Sequence, residues 1–165
     1  MARVKQLKGL SDFSLKLHNL GEISQINRVF KVALFDGAAV VADAMRQEIE
    51  ALPEGNEHGS ADHQIDTITP AQKRGLLDGF GVATMRQEGG GWNTSAGFTG
   101  YNTVRTRTFP NGQPNAMIAA SVEGGTSFRR RNAFITRALR KSRDKANAAM
   151  AASADEQINQ IMEER

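Results

Sequence analysis

Hydrophobic residues recur with a helical period over two long stretches of the chain and with little regularity between them. From Ser24 to Leu52, the residues Phe30, Leu34, Ala38, Val41, Met45, Ile49 and Leu52 follow one stripe, while Arg28, Asp36, Asp43, Arg46 and Glu50 sit off it. That is the pattern of an amphipathic helix. Gly37 interrupts the stretch, where glycine costs about 1 kcal/mol relative to alanine, so it points to close packing or a slight bend. Pro53 stops the helix. The period returns from Asn132 to about Ala152. Ile135, Ala138, Leu139, Ser142, Ala146, Ala149 and Met150 share one side, and Arg137, Arg140, Lys141 and Lys145 share the other. After Ser153 the apolar positions Ile158 and Ile161 leave the stripe, and Ser153-Ala154-Asp155-Glu156 reads as a second capping box. A kink or restart is therefore expected at 153–165.

Shorter elements fill the rest. Residues 1–10 are basic and read as loose. Ser11 is placed to cap a short helix to Leu20, with Phe13, Leu17 and Leu20 on one face and Gly21 ending it. The alternation Phe13-Leu15-Leu17 suits a strand equally. Thr69-Pro70-Ala71-Gln72 is a capping-box start with proline at the first helical position, and Gly75 and Gly79 keep that helix short. Phe80, Val82 and Thr84 alternate as in a strand. Gly89-Gly90-Gly91 then interrupts before Trp92, and Phe98, Tyr101 and Val104 suit a strand of low hydrophobicity. Pro110-Asn111-Gly112 is a hairpin signal, with Ala116–Glu123 as the expected returning strand. The expected fold is one α+β domain over residues 1–165, with two long helices packed on a small, largely antiparallel β-sheet that carries a glycine-rich loop.

Bulk composition narrows the class. With 165 residues, 39% hydrophobic and 24% charged, the chain can bury one modest core and lacks the signature of disorder. The absence of cysteine excludes disulfides and thiolate metal sites. No apolar run reaches the roughly 18 residues of a membrane span, and the basic start lacks the apolar centre of a signal peptide. A soluble protein made in the cytoplasm is expected.

Catalytic chemistry finds little support in the residues. His58 and His63 lie among Glu57, Asp62 and Asp66 in a polar, glycine-bearing loop, without a compact zinc motif such as H-E-x-x-H. His18 stands alone. No serine occupies a G-x-S-x-G elbow, and the Gly89–Gly91 run lacks the Gly-Lys-Ser/Thr of a phosphate loop. No enzyme, metal or cofactor is expected.

Charge is the stronger signal. The segment from Phe128 to Lys145 holds eight Lys or Arg against Asp144, a formal +7, whereas the whole chain is +3. Asp43–Asp66 holds seven acids against Arg46. Three readings follow: a solvated helix face, phosphate contact with nucleic acid without base recognition, or complementary surfaces joining copies of the chain. The residues that carry these readings are Arg129, Arg130, Arg131, Arg137, Arg140, Lys141 and Lys145. Glu123, at the turn before them, either accepts local hydrogen bonds or pairs with a neighbour's arginine. Trp92 is either an interface aromatic or packs over the sheet.

The order of features resembles the neck, or tail-completion, proteins that join head and tail in long-tailed bacteriophages. The resemblance runs from Gly9-Leu10 through the helical stretch Phe35–Ile49 to the family-like E-x-G-T turn, here Glu123-Gly124-Gly125-Thr126. A polar spacer and the Phe-led helix Phe134-Ile135-Thr136-Arg137-Ala138-Leu139 follow. Family sequences often place proline before that Phe and before Ala-Leu, and an aromatic before Gly-Thr. This chain has Ala133, Arg137 and Gly124 there. The resemblance implies a virion structural subunit, six-fold in its ring, between the head connector or stopper and the tail terminator or tube. Double-stranded DNA would pass through that ring and touch some of the arginines without being read. A free-standing, sequence-independent nucleic-acid-binding protein is the alternative.

Overall fold

A computed structural model describes residues 23–89 and 91–163; the expected short helix at 11–20 lies outside them. The fold is α+β. In chain order it runs α1 (Ile23–Glu50), α2 (Pro70–Gly79), β1 (Phe80–Val82), β2 (Arg86–Glu88), β3 (Gly91–Asn93), β4 (Ala96–Phe98), α3 (Asn115–Gly124) and α4 (Phe134–Glu163).

The two long helices pack antiparallel. Glu48 of α1 meets Arg137 and Lys141 near the start of α4, and Gly37 lies against Met150 farther along it. A Cβ at Gly37 would stand 2.5 Å from Met150 Cγ, so glycine is what allows this approach. The residues of α1 that meet α4 are not all those of the expected stripe. Val29, Ala33 and Ala42 are buried, whereas Phe30 is exposed. Small side chains let the helix axes come close, and the bulkier Phe30 is turned away. In α4 the buried line is Phe134, Ala138, Ser142, Ala146, Ser153 and Ile161. The helix does not restart at Ser153: α4 is one helix of 30 residues. Ser153 is buried within that helix and caps no new start.

The β-region is a single long hairpin in two segments. Phe80 pairs with Phe98 and Val82 with Ala96, then Arg86 with Asn93 and Glu88 with Gly91. The sums of paired residue numbers differ by one between the segments, so one extra residue is accommodated where the ladder breaks. Gly89, with φ of 60°, lies at the tip. Gly89, the first of the glycine run, is thus at the hairpin turn.

Ala116–Glu123, expected as a strand, is helical. Asn115, Ile118, Ala119 and Val122 are its buried residues, an i, i+3, i+4, i+7 set, and alanine and methionine favour that state. The Asn111-Gly112 turn exists, but it leads into the helix. Gly112 has φ of 110°, and a side chain there would strike the carbonyl oxygen of Asn102. The capping box at Thr69 is present in both directions: Gln72 N donates to Thr69 Oγ1 at 3.2 Å, and Thr69 N to Gln72 Oε1 at 3.1 Å.

The core gathers at one end of the helix pair. Met45, Ile49, Leu52, Ile68, Leu76, Ile118, Val122 and Phe134 fill it, with Phe80 beside them. Phe98 stacks between Phe80 and Phe134, with ring centroids at 5.4 and 6.1 Å, a spacing favourable for tilted aromatic pairs. The root of the hairpin is therefore anchored in the core.

Candidate functional site

The segment Glu123–Lys145 forms a joint between α3 and α4. Helix α3 ends at Gly125, whose φ of 76° suits glycine and whose N–H donates to Ser121 O. Thr126 and Arg129 then close a tight loop: Thr126 N donates to Arg129 O at 2.9 Å, and Arg129 N to Thr126 O at 3.3 Å. The distant polar loop holds this turn in place. Ile65 N donates to Phe128 O at 3.2 Å and Arg130 N to Ile65 O at 2.8 Å, while Gln64 Nε2 donates to the carbonyls of Thr126 and Ser127.

Glu123 is the cap of α4. Its carboxylate accepts Ile135 N at 2.7 Å, Thr136 N at 3.3 Å and Thr136 Oγ1 at 2.5 Å. The first N–H groups of a helix have no partners within it, and a negative charge there also suits the helix dipole. The hydrogen bonds of Glu123 thus lie within the subunit.

The basic residues do not form one outward face. Arg129 is only 7% exposed. It lies beneath the loop and donates from Nη1 to the carbonyl of Thr67, and burial pushes its guanidinium below the ordinary arginine value. Arg137 and Lys141 turn towards α1. Arg137 Nε lies 2.8 Å from Glu48 Oε2 and Lys141 Nζ 2.5 Å from Glu48 Oε1. A helical wheel fails here because the side chains are long enough to reach the seam from its edges. Arg130, Arg131, Arg140 and Lys145 are exposed, and among the described residues none of them forms an ion pair. Of the seven candidate cations, three therefore turn inward and four outward; Arg143, the eighth cation of the segment, is also exposed.

Glu48 was missed in the sequence because acids were read as surface residues. Its position three after Met45, on the apolar stripe, was the available signal, with Arg137 and Lys141 one helical turn apart as the complement. The Glu48 carboxyl is held below the usual carboxylate range, chiefly by the Lys141 hydrogen bond. Burial opposes this and Arg137 adds to it.

Trp92 is also used within the subunit. Its Nε1–H donates to Asn27 Oδ1 at 2.9 Å, and Lys31 Nζ stands 4.1 Å from the ring centroid. These contacts fix the hairpin tip to the start of α1. Between the hairpin and the two helices runs an apolar groove of about 490 Å³, lined among others by Leu34, Val41, Val82, Ala96 and Leu139. Leu139, on the apolar side of the expected helix, is 49% exposed on this groove.

His58 lines a separate cleft with Glu57 and Arg129. Among the described residues no three His, Asp or Glu side chains converge as a ligand set, and no helix there is long and apolar enough to cross a membrane. No family model, curated protein or solved structure matches the chain.

Proposed function

We propose that this chain is a structural subunit of the head–tail junction of a long-tailed bacteriophage, assembling into a closed ring around the DNA channel. The observation that carries the reading is the joint itself. The residues of the family-like turn and of the Phe-led helix act on one another, Glu123 capping the helix that fully buried Phe134 anchors. Arg130, Arg131, Arg140 and Lys145 then supply charge for a neighbouring copy or for passing phosphates, and the acidic Asp43–Asp66 stretch supplies the complement. In this reading the partners are the connector or stopper on one side and the tail terminator or tube on the other, the location is the virion, and no catalysis is involved.

Phage particles assembled without the chain should show unjoined heads and tails by negative-stain microscopy; normally joined particles would overturn the proposal. The exposed cations favour one second reading, a sequence-independent nucleic-acid binder. It predicts tight duplex binding by the isolated protein that weakens steeply with salt. Weak binding together with a closed oligomer by mass measurement favours the ring.

A further inference from the structure

Arg129 is a buried cation without an anion. Its guanidinium donates from Nη1 to the carbonyl of Thr67. The edge formed by Nε and Nη2 makes no hydrogen bond among the described residues, and Nε is buried as well. No carboxylate pairs with Arg129 there either. Taking a charged donor out of water and leaving it unmatched is costly, so a group of this kind in a folded protein calls for a partner.

The surroundings define that partner. Arg129 lines a cleft of about 580 Å³ between the polar loop before α2, the start of α2 and the stretch before α3. The Gln72 side chain in this cleft is occupied, bonded to Thr69 N and to Gln113. Thr67 Oγ1 is not: it is buried with no partner. The two orphan groups therefore belong to residues already joined, since the Thr67 carbonyl holds Arg129. Both can donate, and the guanidinium cannot accept. What the cleft lacks is an acceptor, and beside a cation an anionic one. With histidine counted as neutral, Arg105 and Arg129 against Glu57 leave the lining at a formal +1, which a singly charged group balances. Val104 and Phe128 add apolar wall, suited to hydrocarbon next to the charge. The Nε–Nη2 edge carries two parallel N–H groups, the arrangement that a planar carboxylate meets with both oxygens.

We infer that this cleft is a binding site for an organic carboxylate, held by the Nε–Nη2 edge of Arg129 and the Thr67 hydroxyl, with its hydrocarbon part against Val104 and Phe128. A small organic acid and an acidic side chain of a second copy carry the same group, and concentration separates them.

Sodium butyrate is the probe. In protein with isotopically labelled arginine, the Nε–H resonance of Arg129 should move saturably as butyrate replaces chloride at constant ionic strength. Dimethyl phosphate, which has the same charge on a tetrahedral group, should bind about tenfold more weakly. Thr67→Val removes a hydroxyl that bonds nothing among the described residues, so the fold is kept while butyrate binding weakens about tenfold. No saturable shift, tighter binding of dimethyl phosphate, or unchanged affinity in Thr67→Val overturns the inference. So does an Arg129 Nε–H shift produced by Glu57→Gln without butyrate, because the chain's own acid would then fill the site. A resonance that starts at the butyrate-bound position and leaves it on dilution supports the site and assigns the carboxylate to a second copy. One that responds to butyrate equally at all protein concentrations supports it and assigns the carboxylate to a free acid.

Discussion

Replacing Glu48 with glutamine removes a single charge from the α1–α4 seam while keeping its shape. The carboxylate is 6% exposed and accepts from Arg137 Nε and Lys141 Nζ. The two contacts differ in worth. Lys141 is the largest influence on the Glu48 carboxyl, yet its side chain is 64% exposed, so water and salt reduce its share to under about 1 kcal/mol. The Arg137 side chain is 36% exposed and is braced by Asn132 Oδ1 at 2.8 Å. A hydrogen bond between charged groups contributes about 1.5–3 kcal/mol. Against both stands the desolvation of a buried carboxylate, which the neutral amide avoids in large part. The balance is a loss of about 1–2 kcal/mol for Glu48→Gln at neutral pH, or roughly 3–6 °C in melting temperature for a domain of this size. The sign with pH follows from the depressed carboxyl. Its contribution is present above the ordinary carboxylate range and is lost as pH falls through the folded value. Thermal melts followed by circular dichroism should therefore show wild type and variant separated at pH 7 and converging in acid. A gap that stays constant down to pH 3 would refute the reasoning. Double-mutant cycles sharpen the test: coupling of Glu48→Gln to Arg137→Ala should exceed coupling to Lys141→Ala, and the reverse order would show that exposure had been given too much weight.

Substitutions at three other positions probe the joint and the hairpin. Glu123→Ala should cost about 1–2 kcal/mol in urea denaturation through loss of the α4 cap, and Glu123→Gln should recover part of it. Phe134→Ala, at a fully buried position stacked on Phe98, should cost about 3–5 kcal/mol, read in the same titration. Trp92 is the only tryptophan, so its fluorescence reports the hairpin tip alone. Asn27→Ala should shift its emission to longer wavelength, and an unchanged spectrum would mean that the indole is held by Lys31 rather than by the hydrogen bond.

Much of this architecture was legible from local rules. The Thr69 capping box, the stop at Pro53 and Gly89 at the hairpin turn are governed by a few neighbouring residues, and the chemistry of those residues decides them. The two long helices were legible because an apolar period sustained over many turns has no other economical use. Ala116–Glu123 was misread because Asn-Gly before it signals a hairpin, whereas the helix packs on α2, β4 and α4, contacts that a local turn rule does not contain. The break expected at Ser153 failed for a similar reason: packing along α1 keeps α4 continuous past a sequence that would cap a helix in isolation.

The sequence by itself determined where the two long helices and the helix capped by Thr69 lie, where glycine turns the chain, and that positive charge is concentrated between Arg129 and Lys145. Only the tertiary structure decided what each charge does. Charge count is a property of the chain, but burial and pairing depend on what a neighbouring element brings within about 3 Å. Glu48 drew Arg137 and Lys141 inward, the loop at Ile65–Thr67 covered Arg129, and the cations with no such neighbour were left facing out.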